Sequence, residues 1–170
     1  VWVRPQVSES MLDESARRNA LAALAMLQLG ECDKAWQVLQ HEGDPRVRTY
    51  WMHEAVPRGL DAAVLGERLL TTNDPREKFG LLQTPGEYDP VGVQPLGGRQ
   101  PAEAGTPTSA NWRQRVIEHA AELYRSSPRR DLHAATRWLL TRWGEQSTVA
   151  EIDEGRRRSP AAAEGSQWFT

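Results

Sequence analysis

Two short stretches of this chain open alike thirty residues apart, Asp44-Pro45-Arg46-Val47-Arg48 and Asp74-Pro75-Arg76-Glu77-Lys78. Each offers a side-chain acceptor at a helix N-cap and a proline at the first helical position, where a missing N–H costs nothing. Each then places a basic residue one turn in. A repeated helix start at a spacing between 20 and 50 residues predicts stacked helix pairs, each too small to bury its own apolar face alone. In such an architecture function resides in a surface.

The remaining elements read from apolar periodicity and stop signals. A first helix is expected from about Ser8 to Leu29, with Leu12, Ala16, Ala20, Ala23, Leu24 and Leu27 on one stripe and Gly30 ending it. A shorter amphipathic helix with Ala35, Trp36 and Leu39 follows Cys32 and Asp33, and Gly43 supplies its stop. The next pair opens at Asp44-Pro45, presents Val47, Trp51 and Ala55, and breaks at Pro57. Its partner is capped by Asp61 and presents Val64, Leu65 and Leu69. A third unit starts at Asp74-Pro75 with Phe79, Leu81 and Leu82 and fails early at Pro85-Gly86.

Between Pro85 and Pro107 the chain holds five prolines and five glycines with almost no periodicity, so residues 85–110 are expected to be a loop or internal linker. Asn111 is the expected cap of a helix carrying Trp112, Val116, Ala120, Leu123 and Tyr124. Asp131 is the expected cap of another, with Leu132, Ala135 and Leu139 on its stripe, Trp138 and Trp143 beside it, and Gly144 at its end. Thr148-Val149-Ala150-Glu151 reads as a capping box opening a short last helix. Residues 158–170 read as a linker leading to a following segment. The expected domain plan is hairpins over 8–84, the 85–110 interruption, and a hairpin plus short helix over 111–157.

Composition narrows the function classes. A formal net charge of −2 with 26% charged residues gives no bulk field for nucleic acid or an anionic membrane. The clusters Arg17-Arg18, Arg129-Arg130 and Arg156-Arg157-Arg158 are short and read first as solvated faces, with contact to phosphate or an acidic partner as the other reading. Cys32 is the only cysteine, which excludes an internal disulfide and a Cys-rich zinc site and fits a reducing, cytoplasmic setting. No apolar run approaches the ~20 residues that span a bilayer.

Catalytic, cofactor-binding and metal-ligating residues are all expected to be absent. His41, His53, His119 and His133 are scattered, and His53-Glu54 lacks the second histidine of a zinc-protease helix. His119 and Glu122 stand one turn apart, a pair without a third ligand. Gly97-Gly98-Arg99 has neither a preceding strand nor the lysine of a phosphate loop. Of the tryptophans, Trp51, Trp112 and Trp138 fall on apolar stripes and are expected to pack, whereas Trp36 and Trp143 near helix ends are the candidates for an exposed binding face.

The segments DPRVRTYWMHEAVPRGLDAAVLGERL and DLHAATRWLLTRWGE resemble the HEAT-repeat-like helical region of bacterial multidomain proteins that carry a formylglycine-generating (sulfatase-modifying factor) domain, often with a Ser/Thr kinase domain. The resemblance covers roughly residues 10 to 170. It implies an all-α, HEAT-like α/α superhelix with a Pro/Gly-rich interruption. It implies a non-catalytic scaffold or docking module, with a protein partner or neighbouring domain, whose inner face is lined by the second helix of each hairpin. The alternative it implies is a region that positions substrate for a formylglycine-generating-type domain following Ser166-Gln167-Trp168-Phe169-Thr170. An independent HEAT-like lyase or hydroxylase would need a His-Glu metal set that this sequence lacks. Two departures stand out. Glu77-Lys78 replaces the Val47-Arg48 pattern, losing a core methyl cluster, and Thr84-Pro85 interrupts a helix that the family usually continues.

Overall fold

The computed structural model describes residues 8–40, 44–88 and 111–158. Among them the chain is all-helical: α1 (Glu9–Gln28), α2 (Cys32–Gln40), α3 (Arg46–Ala55), α4 (Ala62–Thr71), α5 (Pro75–Gln83), a 3-10 turn (Thr84–Glu87), α6 (Trp112–Ser126), α7 (Arg130–Arg142) and α8 (Gln146–Arg158). The expected Gly43 stop, the loop from 89 to 110 and the linker from 159 onward lie outside the described residues.

The helices end as their glycines dictate. At Gly30 and Gly144 the backbone turns left-handed, at φ 86° and 88°. In each case the amide one residue on reaches back to close the last turn, Glu31 N–H to the Met26 carbonyl at 2.9 Å and Glu145 N–H to that of Leu140 at 2.8 Å. α3 ends at Ala55, ahead of Pro57 as expected, and the turn that follows closes with Gly59 left-handed at φ 71° and Leu60 N–H on the Ala55 carbonyl.

The starts divide. Asp61 and Asp74 cap as expected, Asp74 accepting from both Arg76 and Glu77 N–H, and Ser8 caps α1. Asp44 accepts only from Arg46 N–H, and the Arg46 guanidinium then occupies both its oxygens, so α3 begins one residue later than the sequence pattern implies. We therefore expect Asp74→Ala to cost about 1 kcal/mol. Asp44→Ala, which loses one backbone bond, should cost less in the same urea titration. Asn111 makes no side-chain cap. Asp131 sits inside α7, bound to Arg129 at 2.7 Å. Thr148 is already within α8 and bonds Glu145 instead of completing a box with Glu151, because the helix starts two residues earlier than the pattern suggested.

Packing differs from simple chain-adjacent pairs. α1 packs against α2 and α3, and α6 against α7, but α4 lies against α5 and α6 while α5 lies against α2, α4 and α7. The spacing of thirty between Asp44 and Asp74 therefore joins starts of helices in different rows, α3 beside α1 and α5 beside α2. The true register shows in the side chains. Glu9 meets Arg46 at 2.8 Å, Asp13 meets Tyr50 at 2.7 Å and Arg17 meets Glu54 at 3.1 Å, each 37 residues apart. α2 and α5 cross without a constant offset: Gln40 meets Glu77 and Arg76 at one end of α5, and Gly80 stands against Leu39. The three contacts between α1 and α3 are exposed and contribute little stability individually. They set how one helix lies along the next.

The core is continuous, built on Leu24, Leu39, Trp51, Leu65, Leu69, Leu81, Leu82, Val116, Leu139 and Leu140. Val64, expected on the α4 stripe, is instead exposed at 39%. α4 turns Ala62, Leu65, Gly66 and Leu69 inward, and a Cβ on Gly66 would stand 2.7 Å from the Trp112 ring and 3.2 Å from Val116. Gly66→Ala sets a helix-propensity gain of up to ~1 kcal/mol against overpacking of ~1–3 kcal/mol. The neighbours are a buried indole and a branched methyl on α6, so a net loss is the expected result by thermal denaturation.

Pro85, Gly86 and Tyr88 of the expected loop are part of the core. Thr84, Pro85 and Gly86 are buried, and the Tyr88 hydroxyl donates to the Leu60 carbonyl. Burial raises the Tyr88 phenol above its ordinary range, with Asp61 adding to the effect. Gly86 is required here, because a Cβ would meet the Trp138 ring at 2.2 Å.

Candidate functional site

Three polar centres and one exposed aromatic stand out from this frame. The first is Glu77, which is 0% exposed. Its carboxylate accepts from Gln40 Nε2 at 2.8 Å, Thr72 Oγ1 at 2.8 Å, Arg68 Nη2 at 3.1 Å and, at still closer range, Arg68 Nε. Arg68 also lies over Trp36, 5.6 Å from the ring centroid. The loss of a methyl cluster expected at Glu77-Lys78 is thus corrected: a buried carboxylate ties α2, α4 and α5 through charge-assisted bonds.

The second centre joins α6, α7 and α8. Tyr124 donates to Asp153 at 2.7 Å, and the Tyr124 and His133 rings lie 4.2 Å apart. Arg156 reaches His133 Nε2 and the carbonyls of Tyr124 and Arg125. Burial, ahead of the bond to Asp153, pushes the Tyr124 phenol up to about 12. It also holds His133 below its usual value, with Arg156 acting in the same direction.

His119 is the third. Its Nε2 is buried with no protein partner among the described residues. Burial, then the charge of Lys78, lowers its pKa, while Glu122 acts against them. Glu122 itself is bound to Arg125 at 2.6 Å, so the pair does not converge on a shared proton or ion. His53 is exposed, and His41 and Gly97-Gly98-Arg99 lie outside the described residues. Cys32 opens α2. Among the described residues no group of three or more His, Cys, Asp or Glu could hold a metal ion, and no helix is long and apolar enough to cross a membrane.

The arginine clusters are largely spoken for. Arg17, Arg129, Arg157 and Arg158 each sit within 3.1 Å of a carboxylate, Arg18 is 3.9 Å from Glu14, and Arg156 points inward.

The tryptophans reverse part of the expectation. Trp51 and Trp112 are buried as expected, but Trp36 and Trp143 are buried too, each under a guanidinium, Arg68 or Arg113. The stripe residue Trp138 is the exposed one, at 40%, with its ring edge on Gly86 and Arg142 bonded to the Gly86 carbonyl beside it. A helix-end position gave no hint that a long cation from a neighbouring helix would cover Trp36 and Trp143. Trp138 keeps much of its ring exposed while Gly86 of the buried 3-10 turn stands against its edge.

Set beside known proteins, the chain stands on its own geometry: no family model matches it, no curated protein matches it and no solved structure matches it.

Proposed function

We propose that this chain is a non-catalytic, HEAT-like scaffold that binds a partner protein or a neighbouring domain of the same polypeptide through the row α2, α5 and α7. The observation that carries the reading is the constant offset of 37 residues by which α3 lies along α1, in the contacts Glu9–Arg46, Asp13–Tyr50 and Arg17–Glu54. A helix laid parallel on an earlier one at a constant offset is how units of a helical repeat stack, and stacked repeats expose an extended face whose chemistry is recognition. Trp138, on α7 of that row, supplies the large amphipathic ring that interface centres favour. The resemblance to the HEAT-like regions of formylglycine-generating proteins agrees with this role.

The test is site-specific photocrosslinking in cells, with a benzophenone amino acid in place of Trp138 and, as a control, in place of Ala22 on the exposed side of α1. Discrete protein adducts, to another chain or to a further domain, are expected from position 138 and not from position 22. Equal yields at both, or none at 138, would overturn the choice of face.

A further inference from the structure

We propose that α8 is an acid-released latch: protonation of His133 ejects Arg156 and undocks α8 from α6 and α7.

A guanidinium has donors only, so the close contact of Arg156 Nη1 with His133 Nε2 requires that nitrogen to be the bare acceptor of a neutral imidazole, with the ring proton on Nδ1. Adding a proton at Nε2 turns an acceptor into a donor facing a donor and sets two cations in contact. Arg156 has little room to yield where it is. Its guanidinium carbon is 5.1 Å from the Tyr124 ring centroid, and its other nitrogen is committed to the Tyr124 and Arg125 carbonyls.

The charged and titratable groups facing His133 include, among the described residues, Tyr124 from α6, Asp153 and Arg156 from α8, and Arg137 from its own helix. Asp153 favours the imidazolium, but it is engaged by the Tyr124 hydroxyl. Arg156, Arg137 and burial all oppose it. Because the folded-state pKa lies below the ordinary value, the stability contributed by neutral His133 is complete above that value and is lost as pH falls through the folded one.

The rest of the α8 seam is thin. Its buried residues are Val149 and Ile152 alone, so the polar clamp carries an unusual share of the docking. Release would uncover the Tyr124 ring and its apolar surroundings on α6 and α7, giving a new surface in mildly acidic surroundings.

The experiment follows hydrogen exchange of the α8 amides in the full chain between pH 7.5 and 5, corrected for intrinsic rates. Protection of α8 should fall by up to about tenfold per pH unit through the His133 transition, as one coupled proton requires, while α1 to α5 stay protected. His133→Gln keeps a neutral acceptor for Arg156 and should abolish the dependence. His119→Gln, at the other histidine with a lowered pKa, should leave it intact. The unsubstituted chain gives an independent reading, because the His133 ring titration and the α8 transition must share a midpoint. Constant α8 protection, the same acid dependence in His133→Gln, or midpoints more than about one unit apart would overturn the latch.

Discussion

Arg68→Ala is expected to lower the unfolding free energy by about 3 kcal/mol, near the lower end of the range for breaking a buried ion pair because the arginine keeps part of its surface in water. Its partner Glu77 is fully enclosed, so the deletion strands a carboxylate that Gln40 and Thr72 bind but cannot neutralise. Glu77→Ala is expected to cost a comparable amount, since it removes the shared acceptor from three elements. The informative case is the double change Arg68→Met with Glu77→Leu. Two packed apolar side chains need no counter-charge, so this variant should lose less than either single one. Urea titration of the four proteins reads the result. Single losses below about 1 kcal/mol would mean that water reaches the carboxylate and that the pair belongs with ordinary surface bridges.

How far such a centre could be read in advance depends on the kind of signal. Helix identities and most stops were legible, because apolar spacing and the glycines act within one element: Ala20, Leu24 and Leu27 face inward as their spacing requires, and Gly30 and Gly144 end their helices. Caps were legible only where the side chain had no competitor. Asp74 keeps its carboxylate for the backbone, whereas Asp44 is claimed by Arg46 and Asp131 by Arg129. Glu77 was read as a lost methyl cluster because its partners, Gln40 and Arg68, come from other helices, and no local pattern brings them together. The exposed Trp138 and the clamp of Arg156 on His133 were hidden for the same reason. The sequence does carry one signal across elements: Glu9, Asp13 and Arg17 recur one turn apart on α1, and Arg46, Tyr50 and Glu54 repeat that spacing on α3. Matching those two ladders would have given 37 residues, not thirty, as the register.

Trp51→Ala should produce a loss of about 3–5 kcal/mol, the usual range for truncating a fully buried large aromatic. Trp51 is 0% exposed and lies 5.9 Å from Trp36, at the centre of the packing among α1, α2 and α3. Truncation removes the indole and leaves a void that the surrounding core, already enclosed, cannot collapse to fill. Trp51→Phe separates two contributions. It forfeits part of the ring and its contacts, yet it also removes an N–H that is buried without a protein acceptor among the described residues. An unmet buried donor costs about 1–3 kcal/mol, so its removal offsets much of the lost packing. The phenylalanine variant is therefore expected within about 1 kcal/mol of the parent, far from the alanine variant, in paired thermal and urea denaturation. A phenylalanine loss approaching that of alanine would show that the indole N–H is satisfied in solution, and a water bridging it to a backbone carbonyl would then be part of the core.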